Sequence, residues 1–243
     1  MTRGILIAGN ESTLSAAIAA EAAKRVEHYA AALIPNRLSE QIRNDPPRPP
    51  VSGTKKSPAR QTGTTGDLPA GVEIPLQWNP GSPIAARSLI LAAENRLEHL
   101  DEAILICTPP SIRRRSADLL PADIEIMAND HIKGWFFLVR ELAQLFRTKE
   151  SGTLALVLSD MGSAGSKDDR VDLLGPAVAA TFRAFAQSLL SSAYDEPYLT
   201  MAFSSPEIAD EGSFAAFVFK QVDEGNKRNN GRWHKYGKLN LFR

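Results

Sequence analysis

The side chains best suited to move a proton in this chain are the neighbouring Asp130 and His131. Histidine titrates near neutral pH, so such a pair could act in proton transfer. The same two residues open a helical pattern, and an aspartate at that place usually caps the helix. The sequence favours the cap and keeps the proton-transfer pair as the alternative.

Other reactive residue types lack the spacing of a known kind of site. The four histidines show no metal-ligand spacing with the single cysteine, Cys107, so no metal is predicted. Ser159 lacks the Gly-x-Ser-x-Gly elbow of a hydrolase. Residues 162–167 contain Gly, Ser and Lys without the spacing of a phosphate-binding loop, and we interpret them as a loop at the edge of a site.

Alternating strands and helices must position these residues. Apolar runs bounded by Gly, Pro and Asn predict strands at 5–8, 29–34, 72–78, 103–107, 153–158 and 199–203, with an edge strand at 238–242. Helical patterns cover 14–25, 83–100, 111–118, 130–146, 174–193 and 214–222. Ser12 or Thr13, and Ser82, are suited to cap helices. This alternation predicts an α/β fold with a three-layer, doubly wound, mostly parallel Rossmann-like sheet of about seven strands.

One segment departs from the alternation. Residues 45–71 are rich in Pro, Gly, Thr and Lys and nearly lack large apolar side chains. Such a composition cannot offset the entropy of ordering, so we interpret the segment as a flexible insertion, with an ordered arm as the alternative. We predict one Rossmann-like domain over residues 1–243 with this insertion.

Charge and composition restrict the classes of partner. Lysine plus arginine and aspartate plus glutamate both number 28, so the net charge is zero and neither nucleic acid nor a membrane surface is predicted as a partner. No apolar run approaches the ~18 residues that cross a bilayer. The N-terminus lacks the features of a signal peptide. With Cys107 interpreted as a buried strand-end thiol rather than a reactive one, we predict a cytoplasmic protein.

Several segments, in their order and spacing, carry a family resemblance. They are the strand-turn-helix at 5–18, Asp-His-Ile-Lys-Gly-Trp-Phe-Phe at 130–137, the strand 154–159, the helical segment 184–189 and the strand end at 203–206. Together they resemble the short-chain dehydrogenase/reductase family over nearly the whole chain except the insertion. The resemblance implies the fold predicted above and a crevice for NADP or NAD.

The resemblance also implies which residues hold the cofactor and the substrate. Cofactor contacts would come from the first turn, from the end of the second strand and from the end of the fourth strand: Gly9, Asn10, Ser12, Thr13, Asn36, Arg37, Cys107 and Thr108. Arg37 could pair with a 2′-phosphate or be an ordinary surface arginine. Ser159 matches the serine that holds a substrate carbonyl, with Asp160 equally close in register, and His131 stands where the family has an asparagine.

The departures from the family pattern concern both cofactor and chemistry. Thr13 and Ser15 replace two glycines of the first turn, and side chains there would crowd a dinucleotide. Prolines at 109 and 110 remove amide donors after the fourth strand. By helix register, Gly175 and Ala179 stand where the family has its proton-donating tyrosine and lysine, so neither function can be supplied there.

The two long helices, 130–147 and 174–193, carry more apolar surface than one sheet face needs. In the resembling family they pair across a dimer axis, so we predict a homodimer or a higher homo-oligomer. Trp135, Phe136, Phe182 and Phe185 could line such an interface, and packing against the sheet is the alternative for each of them. An active paralogue is a second candidate partner.

These observations support three functional hypotheses and leave open whether the chain is an enzyme. The first is a catalytically degenerate short-chain dehydrogenase/reductase-like protein that acts as a binding protein or a subunit. The second is a divergent oxidoreductase in which Arg37 selects NADPH, Ser159 polarises a carbonyl and His131 replaces the tyrosine. The third is a binder of another small ligand at the carboxyl ends of the strands.

Overall fold

The computed structural model describes residues 3–35, 71–112, 116–159, 172–205 and 210–237. Within these ranges, seven strands form one sheet in the order β3-β2-β1-β4-β5-β6-β7, and all neighbours are parallel. The strands are β1 (Ile5–Asn10), β2 (His28–Ile34), β3 (Val72–Pro75), β4 (Glu102–Cys107), β5 (Thr153–Ser159), β6 (Leu199–Ser205) and β7 (Arg232–Lys235). The predicted doubly wound α/β fold is confirmed. The strand order reverses between β1 and β4, which is where such sheets form a crevice.

Helices cover both faces of this sheet. They are α1 (Thr13–Ala23), α2 (Pro83–Leu97), α3 (Pro121–Ala128), α4 (Gly134–Lys149), α5 (Leu174–Ser192) and α6 (Glu211–Asp223). Helices α2, α4 and α5 pack on one face, and α1 and α6 pack on the other. The molecule is therefore a three-layer structure with two apolar cores separated by the sheet.

The central strands are buried on both faces because each one alternates between the two cores. In β1, Leu6 and Ala8 pack towards α2 and α4, whereas Ile5 and Ile7 pack towards α1 and α6. This alternation explains why the central strands appear in the sequence as continuous apolar runs.

The predicted helix caps at Ser12 and Ser82 are confirmed. The Ser12 hydroxyl accepts a hydrogen bond from the Ser15 amide at 3.0 Å, and the Ser82 hydroxyl accepts one from the Ala85 amide at 3.3 Å. Both serines have extended backbone, as a capping residue requires. Each cap satisfies an amide that would otherwise have no partner in the first turn.

The described sheet ends in a strand that the sequence did not predict. The predicted edge strand at 238–242 lies outside the described residues, and the described β7 is Arg232–Lys235, which pairs with β6. Its four residues run exposed, half-buried, half-buried, exposed. This segment lacks an apolar run because only an edge strand's inner side is covered, so sequence periodicity missed it.

The helix that contains His131 also begins differently from the prediction. Helix α3 starts at Pro121 and passes through a π-helix, Asn129–Lys133, directly into α4. Asp130 is therefore buried in the middle of a helical segment and does not cap a helix start, which corrects the favoured interpretation of the sequence. The predicted short helix at 111–118 is reduced, among the described residues, to one 3-10 turn at Ser116–Asp118.

For two of the four aromatic side chains that could line a subunit interface, the alternative of core packing is observed. Trp135 and Phe182 are buried within the chain, and their rings make an edge contact at 5.5 Å between centroids. Phe136 is 52% exposed and Phe185 is half-buried. No helix among the described residues has both the length and the apolarity needed to span a bilayer.

Candidate functional site

The first turn after β1 is built on a glycine that the sheet requires. A Cβ atom added to Gly9 would lie 2.2 Å from the carbonyl oxygen of Ile106 in β4. Any side chain at this position would therefore push β1 and β4 apart. Gly9 therefore allows the close approach of β1 and β4, and its role in holding a cofactor stays a prediction.

The sequence suggested that the Ser15 side chain would obstruct the crevice, but the structure places it elsewhere. Its side chain is buried, and its hydroxyl accepts a hydrogen bond from the Ser12 amide at 2.8 Å and donates one to the Ser12 carbonyl at 2.8 Å. With the reciprocal bond from Ser12, this is a closed capping box. Ser15 therefore caps the start of α1 with a buried side chain. Of the two positions where the family pattern has glycine, only Thr13 is exposed.

Thr13 connects the start of α1 with the start of α6. Its hydroxyl donates a hydrogen bond of 2.6 Å to a carboxylate oxygen of Glu211. Glu211 lies in the first turn of α6. A negative charge is favourable at a helix N-terminus, because the amides there carry partial positive charge. The Glu211 carboxylate therefore lies where the phosphate groups of a nucleotide would be attracted.

Asn10, at the carboxyl end of β1, has a buried polar side chain. Its side chain is 1% exposed, and neither its amide nitrogen nor its amide oxygen has a hydrogen-bond partner in the part of the chain that the structure describes. Leaving a buried amide unpaired costs about 1–3 kcal/mol for each group. A polar group of this kind is typical of a position that binds a ligand or an ordered water.

The end of β4 closes the other side of the crevice. Cys107 is fully buried, and desolvation by this burial raises the pKa of its thiol. A protonated, buried thiol is a poor nucleophile, which agrees with its interpretation as a structural cysteine. The hydroxyl of the next residue, Thr108, donates a hydrogen bond of 3.2 Å to the Ser12 hydroxyl. Ser12 and Thr108 are therefore in direct contact, and their role in holding a cofactor stays a prediction.

The segment after β4 then covers the start of α5. A Cβ atom added to Gly175 would lie 2.4 Å from the Pro110 carbonyl oxygen and 2.8 Å from a carboxylate oxygen of Asp172. Asp172 accepts hydrogen bonds from the Gly175 amide at 3.0 Å and from the Ile112 amide at 3.2 Å. Ile112 and Leu174 pack together beside this carboxylate. The position matched to the catalytic tyrosine is therefore filled by backbone and sealed by apolar contacts.

The first half of α5 carries no side chain that could replace that tyrosine. Ala179, at the position matched to the lysine, is half-buried against the sheet core, and Val178 is fully buried in it. From Leu174 to Phe182 the helix has only one side chain with a polar hydrogen, the Thr181 hydroxyl. Among the described residues, the Thr181 hydroxyl is therefore the one side-chain hydrogen-bond donor that this part of the helix offers.

The two predicted catalytic residues lie on different faces of the sheet. Ser159 ends β5 and continues the alternation of Ala155 and Val157, which pack towards α1 and α6. His131 is buried in the π-helix, which contacts α5 on the opposite face. The structure therefore does not bring these two side chains together on one face. Their catalytic roles stay predictions.

Several predicted positions lie outside the described residues. These are Asn36, Arg37 and Asp160. Across the described part of the chain, no group of three or more His, Cys, Asp or Glu side chains could hold a metal ion.

Sequence reasoning missed two acidic residues of this region. Asp172 could have been recognised, because an aspartate shortly before an apolar helical pattern is a typical cap signal. Glu211 could not, because its partner Thr13 is 198 residues away in the chain and nothing local connects them. The described site is therefore a crevice with hydroxyl and amide groups on one side and, on the other, a helix start packed against the segment after β4.

Comparison with known proteins gives matches only at the level of structure. No protein-family model matches the sequence. A search of curated proteins also found no match.

Solved structures of dehydrogenases and reductases do match over almost the whole chain. A short chain dehydrogenase from Mycobacterium smegmatis is 14% identical with a TM-score of 0.67, over 99% of this chain and 94% of that one. Serine dehydrogenase from Escherichia coli is 13% identical with a TM-score of 0.67, over 99% of this chain and 100% of that one. An NADH-dependent reductase, solved in complex with NAD, is 12% identical with a TM-score of 0.65, over 97% and 95%.

Identities this low establish architecture alone, because one fold hosts many functions. The resemblance noted from the sequence is thus supported for the fold. This chain has the Rossmann-like α/β fold of the short-chain dehydrogenases.

Proposed function

We propose that this protein is a catalytically degenerate relative of the short-chain dehydrogenases that binds a nucleotide-type ligand without reducing a substrate. The observation that carries this proposal is the contact between Pro110 and Gly175. A side chain at Gly175 would begin 2.4 Å from the Pro110 carbonyl oxygen, so the observed packing leaves no room for a tyrosine at this position. A single substitution could not restore the proton donor without moving the segment after β4.

The binding half of the site supports a retained ligand. Gly9 allows the close turn, Ser12 and Thr108 present paired hydroxyls, and Asn10 holds a buried amide with no partner among the described residues. These groups suit the phosphate and ribose parts of a dinucleotide, which are recognised by hydroxyls, amides and a helix N-terminus. A structurally similar reductase was solved with NAD, which makes NAD or NADP the first ligand to test.

When bound, a nicotinamide cofactor would supply a hydride acceptor or donor. In this chain, residues Asn10, Ser12 and Thr108 would hold the ligand, and the sealed start of α5 would exclude a substrate carbonyl from the position beside it. The Glu211 carboxylate at the start of α1 would oppose phosphate groups. We therefore expect weaker dinucleotide binding than in an active reductase.

A subunit role fits the same molecule. Phe136 on α4 and Phe185 on α5 form an aromatic pair with 4.6 Å between ring centroids, and Phe136 is half-exposed. An exposed aromatic pair on two neighbouring helices is typical of an interface that buries it. We propose that α4 and α5 form a dimer contact, with a second copy of this chain as the first partner to test and an active paralogue as the next.

The decisive experiment combines titration with turnover. Purified protein is titrated with NADPH and NADH by calorimetry, and oxidation of each cofactor is followed by absorbance with a panel of ketones and aldehydes. Binding without turnover is the expected result. Turnover above that of a heat-denatured control would overturn the non-catalytic assignment, and no binding at millimolar cofactor would overturn the nucleotide assignment.

Arg37→Ala tests cofactor choice in the same titration. If Arg37 pairs with the 2′-phosphate, this variant weakens NADPH binding and leaves NADH binding unchanged, because only NADPH carries that phosphate. Equal weakening of both cofactors would show that Arg37 does not select between them.

A divergent oxidoreductase is the second candidate, favoured by the π-helix at Asn129–Lys133. Such helices are rare and often occur at functional sites, and in this one the His131 side chain is buried. The candidate predicts measurable turnover that is lost in His131→Asn and in Ser159→Ala. Turnover that survives both substitutions would exclude these residues as its catalytic groups.

A further inference from the structure

The sequence contains one Asn-Gly pair, Asn230–Gly231, directly before β7. Asparagine followed by glycine is the pair most prone to lose its side-chain amide, because the glycine nitrogen is not shielded by a side chain and can attack the neighbouring carboxamide. The surroundings of this pair in the fold decide whether the two groups can meet.

The fold depends on glycine at position 231. Gly231 has a φ of 70°, in the left-handed region that favours glycine. A Cβ atom added here would lie 3.0 Å from the Leu190 carbonyl oxygen and 3.0 Å from the Tyr194 ring. The glycine therefore lets the chain pass close to the end of α5 as it enters β7.

The fold also depends on the Asn230 carboxamide. Its oxygen accepts a hydrogen bond from the Thr200 amide at 2.8 Å, and its nitrogen donates one to the Ala193 carbonyl at 2.9 Å. The residue is 8% exposed. This position needs a group that both accepts and donates, and an ionised aspartate has no hydrogen to donate. Asn230 thus fastens the turn after α5 to the start of β6.

In this arrangement the carboxamide cannot react with the Gly231 nitrogen. Ring closure requires that nitrogen and the Asn230 Cβ atom to lie on the same side of the Cα–C bond, whereas the Asn230 backbone is extended, with φ −61° and ψ 137°. The peptide between the two residues is also held, because the Gly231 amide donates a hydrogen bond of 2.9 Å to the Thr200 carbonyl. Both reacting groups are therefore fixed by β6, and the folded protein protects the pair.

Strand β7 is the part of the sheet best suited to open. It has four residues, lies at one end of the described sheet and, among the described strands, pairs with β6 alone. Short, half-exposed elements open locally at a lower free energy than the buried strands of a core. Each opening would release the Gly231 amide and the Asn230 side chain together, since both are bonded to Thr200.

We propose that Asn230–Gly231 is a deamidation site that the fold keeps closed, and that its reaction makes the opening of β7 irreversible. The Gly231 nitrogen forms a bond to the Asn230 Cγ atom, and its proton passes to the side-chain nitrogen, which leaves as ammonia. Water then opens the cyclic imide to aspartate or isoaspartate. No atom is oxidised or reduced, and the reaction needs neither a nucleotide nor a second copy of the chain.

Neither product fits the site that the asparagine occupied. Aspartate has no hydrogen for the Ala193 carbonyl and brings a negative charge to a buried position. Isoaspartate adds a methylene group to the main chain directly before β7, which shifts the strand relative to β6. Strand β6 then presents an unpaired edge at residues 201–204, and such an edge pairs readily with other chains. Modification therefore converts a local opening into a lasting change of the protein's surface.

The test follows deamidation in the full chain by peptide mapping. Wild-type protein is incubated at mildly alkaline pH, folded and in urea, and mass spectrometry quantifies the aspartate and isoaspartate forms at residue 230 over time. Asn226, which is exposed and followed by lysine, is the internal reference. Trp233→Ala loosens β7 without touching the pair, because it removes the hydrogen bond of 2.8 Å from the indole to the Ser204 hydroxyl. Lys235→Ala, at an exposed position of the same strand, is the matched control.

We expect deamidation at residue 230 to be at least about tenfold slower in the folded protein than in urea, since local opening must precede it. Trp233→Ala should raise the folded rate and leave the rate in urea unchanged, and Lys235→Ala should change neither. The rate at Asn226 should not respond to either variant.

Asn230→Asp places the product of the reaction in the site directly. This variant should unfold at a lower urea concentration than the wild type, and hydrogen exchange should quicken at the amides of residues 232–235. Asn226→Asp adds the same charge, and its carboxylate can still accept the hydrogen bond from the Arg228 amide, so it should show neither effect.

Three results would overturn the proposal. Equal rates at residue 230 in the folded protein and in urea, a comparison that needs no variant, would show that the fold does not protect the pair. A folded rate that Trp233→Ala leaves unchanged would show that the opening of β7 does not control the reaction. An Asn230→Asp variant as stable as Asn226→Asp would show that the product fits the site.

Discussion

The carbonyl oxygen of Pro110 lies against Gly175, at a distance of 2.4 Å from where a Cβ atom of residue 175 would be. Real Cβ atoms do not approach a carbonyl oxygen that closely, so this contact requires glycine. The Asp172 carboxylate joins the same two segments through the amides of Ile112 and Gly175. The start of α5 is thereby used for packing at the position that the sequence register matched to the family's tyrosine.

Gly175→Ala should destabilise the protein, contrary to its effect in an ordinary helix. Alanine favours a helix over glycine by about 1 kcal/mol, so helix propensity alone predicts a gain. The clash with Pro110 should instead lower the free energy of unfolding by about 1–3 kcal/mol. Denaturant unfolding measures the change, with the exposed Ala177→Gly in the same helix giving the size of the propensity effect. A more stable Gly175→Ala would show that the segment after β4 moves freely away from α5.

Asp172→Ala should loosen this seal locally. Two amides, those of Ile112 and Gly175, lose the acceptor that they share, and each such hydrogen bond to a charged group contributes about 1–3 kcal/mol. Hydrogen exchange should quicken at both amides. Asp118→Ala, at an exposed position before α3, is the control and should leave exchange at both amides unchanged. Unchanged protection in Asp172→Ala would mean that apolar contacts alone hold the segment.

Glu211→Gln should strengthen binding of anionic ligands at the start of α1. The substitution removes the negative charge beside Thr13 while the glutamine oxygen can still accept the hydroxyl's hydrogen bond. We expect an increase of about threefold to tenfold in affinity for NADPH or NADH, larger at low salt. Calorimetric titration checks this result. Glu224→Gln, after the other end of the same helix, should change nothing, and equal gains in both variants would indicate a general charge effect.

Asp223→Asn should lower stability at neutral pH and flatten its fall in acid. Burial by itself raises the pKa of Asp223, but hydrogen bonds from Arg25 at 2.9 Å and from Arg3 outweigh it and leave the pKa below its usual value. A carboxylate with a lowered pKa stabilises the fold above its unfolded pKa of about 3.9, and this contribution is lost as the pH falls through the lower folded value.

Because these ion pairs are partly exposed, we expect a loss of about 1 kcal/mol in the free energy of unfolding at pH 7, shrinking towards zero below about pH 4. Urea unfolding across this pH range provides the measurement. The exposed Asp195→Asn serves as the control. A loss that is the same at every pH would assign the effect to packing instead of charge.

Phe136→Glu should convert a dimer into a monomer. The substitution places a charge in the proposed contact between copies of α4 and α5, beside Phe185, where it would have to lose its hydration. Sedimentation velocity measures the change in mass. Leu91→Glu on α2, whose side chain is 51% exposed, is the matched control and should not alter the assembly. A wild-type protein that sediments as a monomer at micromolar concentration would contradict the dimer proposal directly.

Sequence patterns were reliable where local chemistry decides the structure. Ser12 and Ser82 were identified as caps because a hydroxyl before a helix satisfies an amide within three residues of it. Sequence patterns did not predict the strand Arg232–Lys235, which forms because it pairs with the edge of β6. They also placed a helix start at Asp130, which lies inside a helical segment that begins earlier, at Pro121. In both places the deciding contacts come from elsewhere in the chain.

The sequence by itself determined the doubly wound α/β fold, the glycine of the first turn and the absence of a tyrosine and lysine in α5, because strand burial, helix caps and residue types are local properties. Only the tertiary structure decided which distant segments pack against α1 and α5. The contacts of Pro110 with Gly175, of Thr13 with Glu211 and of α5 with β7 join segments that are far apart in the chain. Their existence depends on how the packed layers align, and periodicity along one strand or helix carries no information about that alignment.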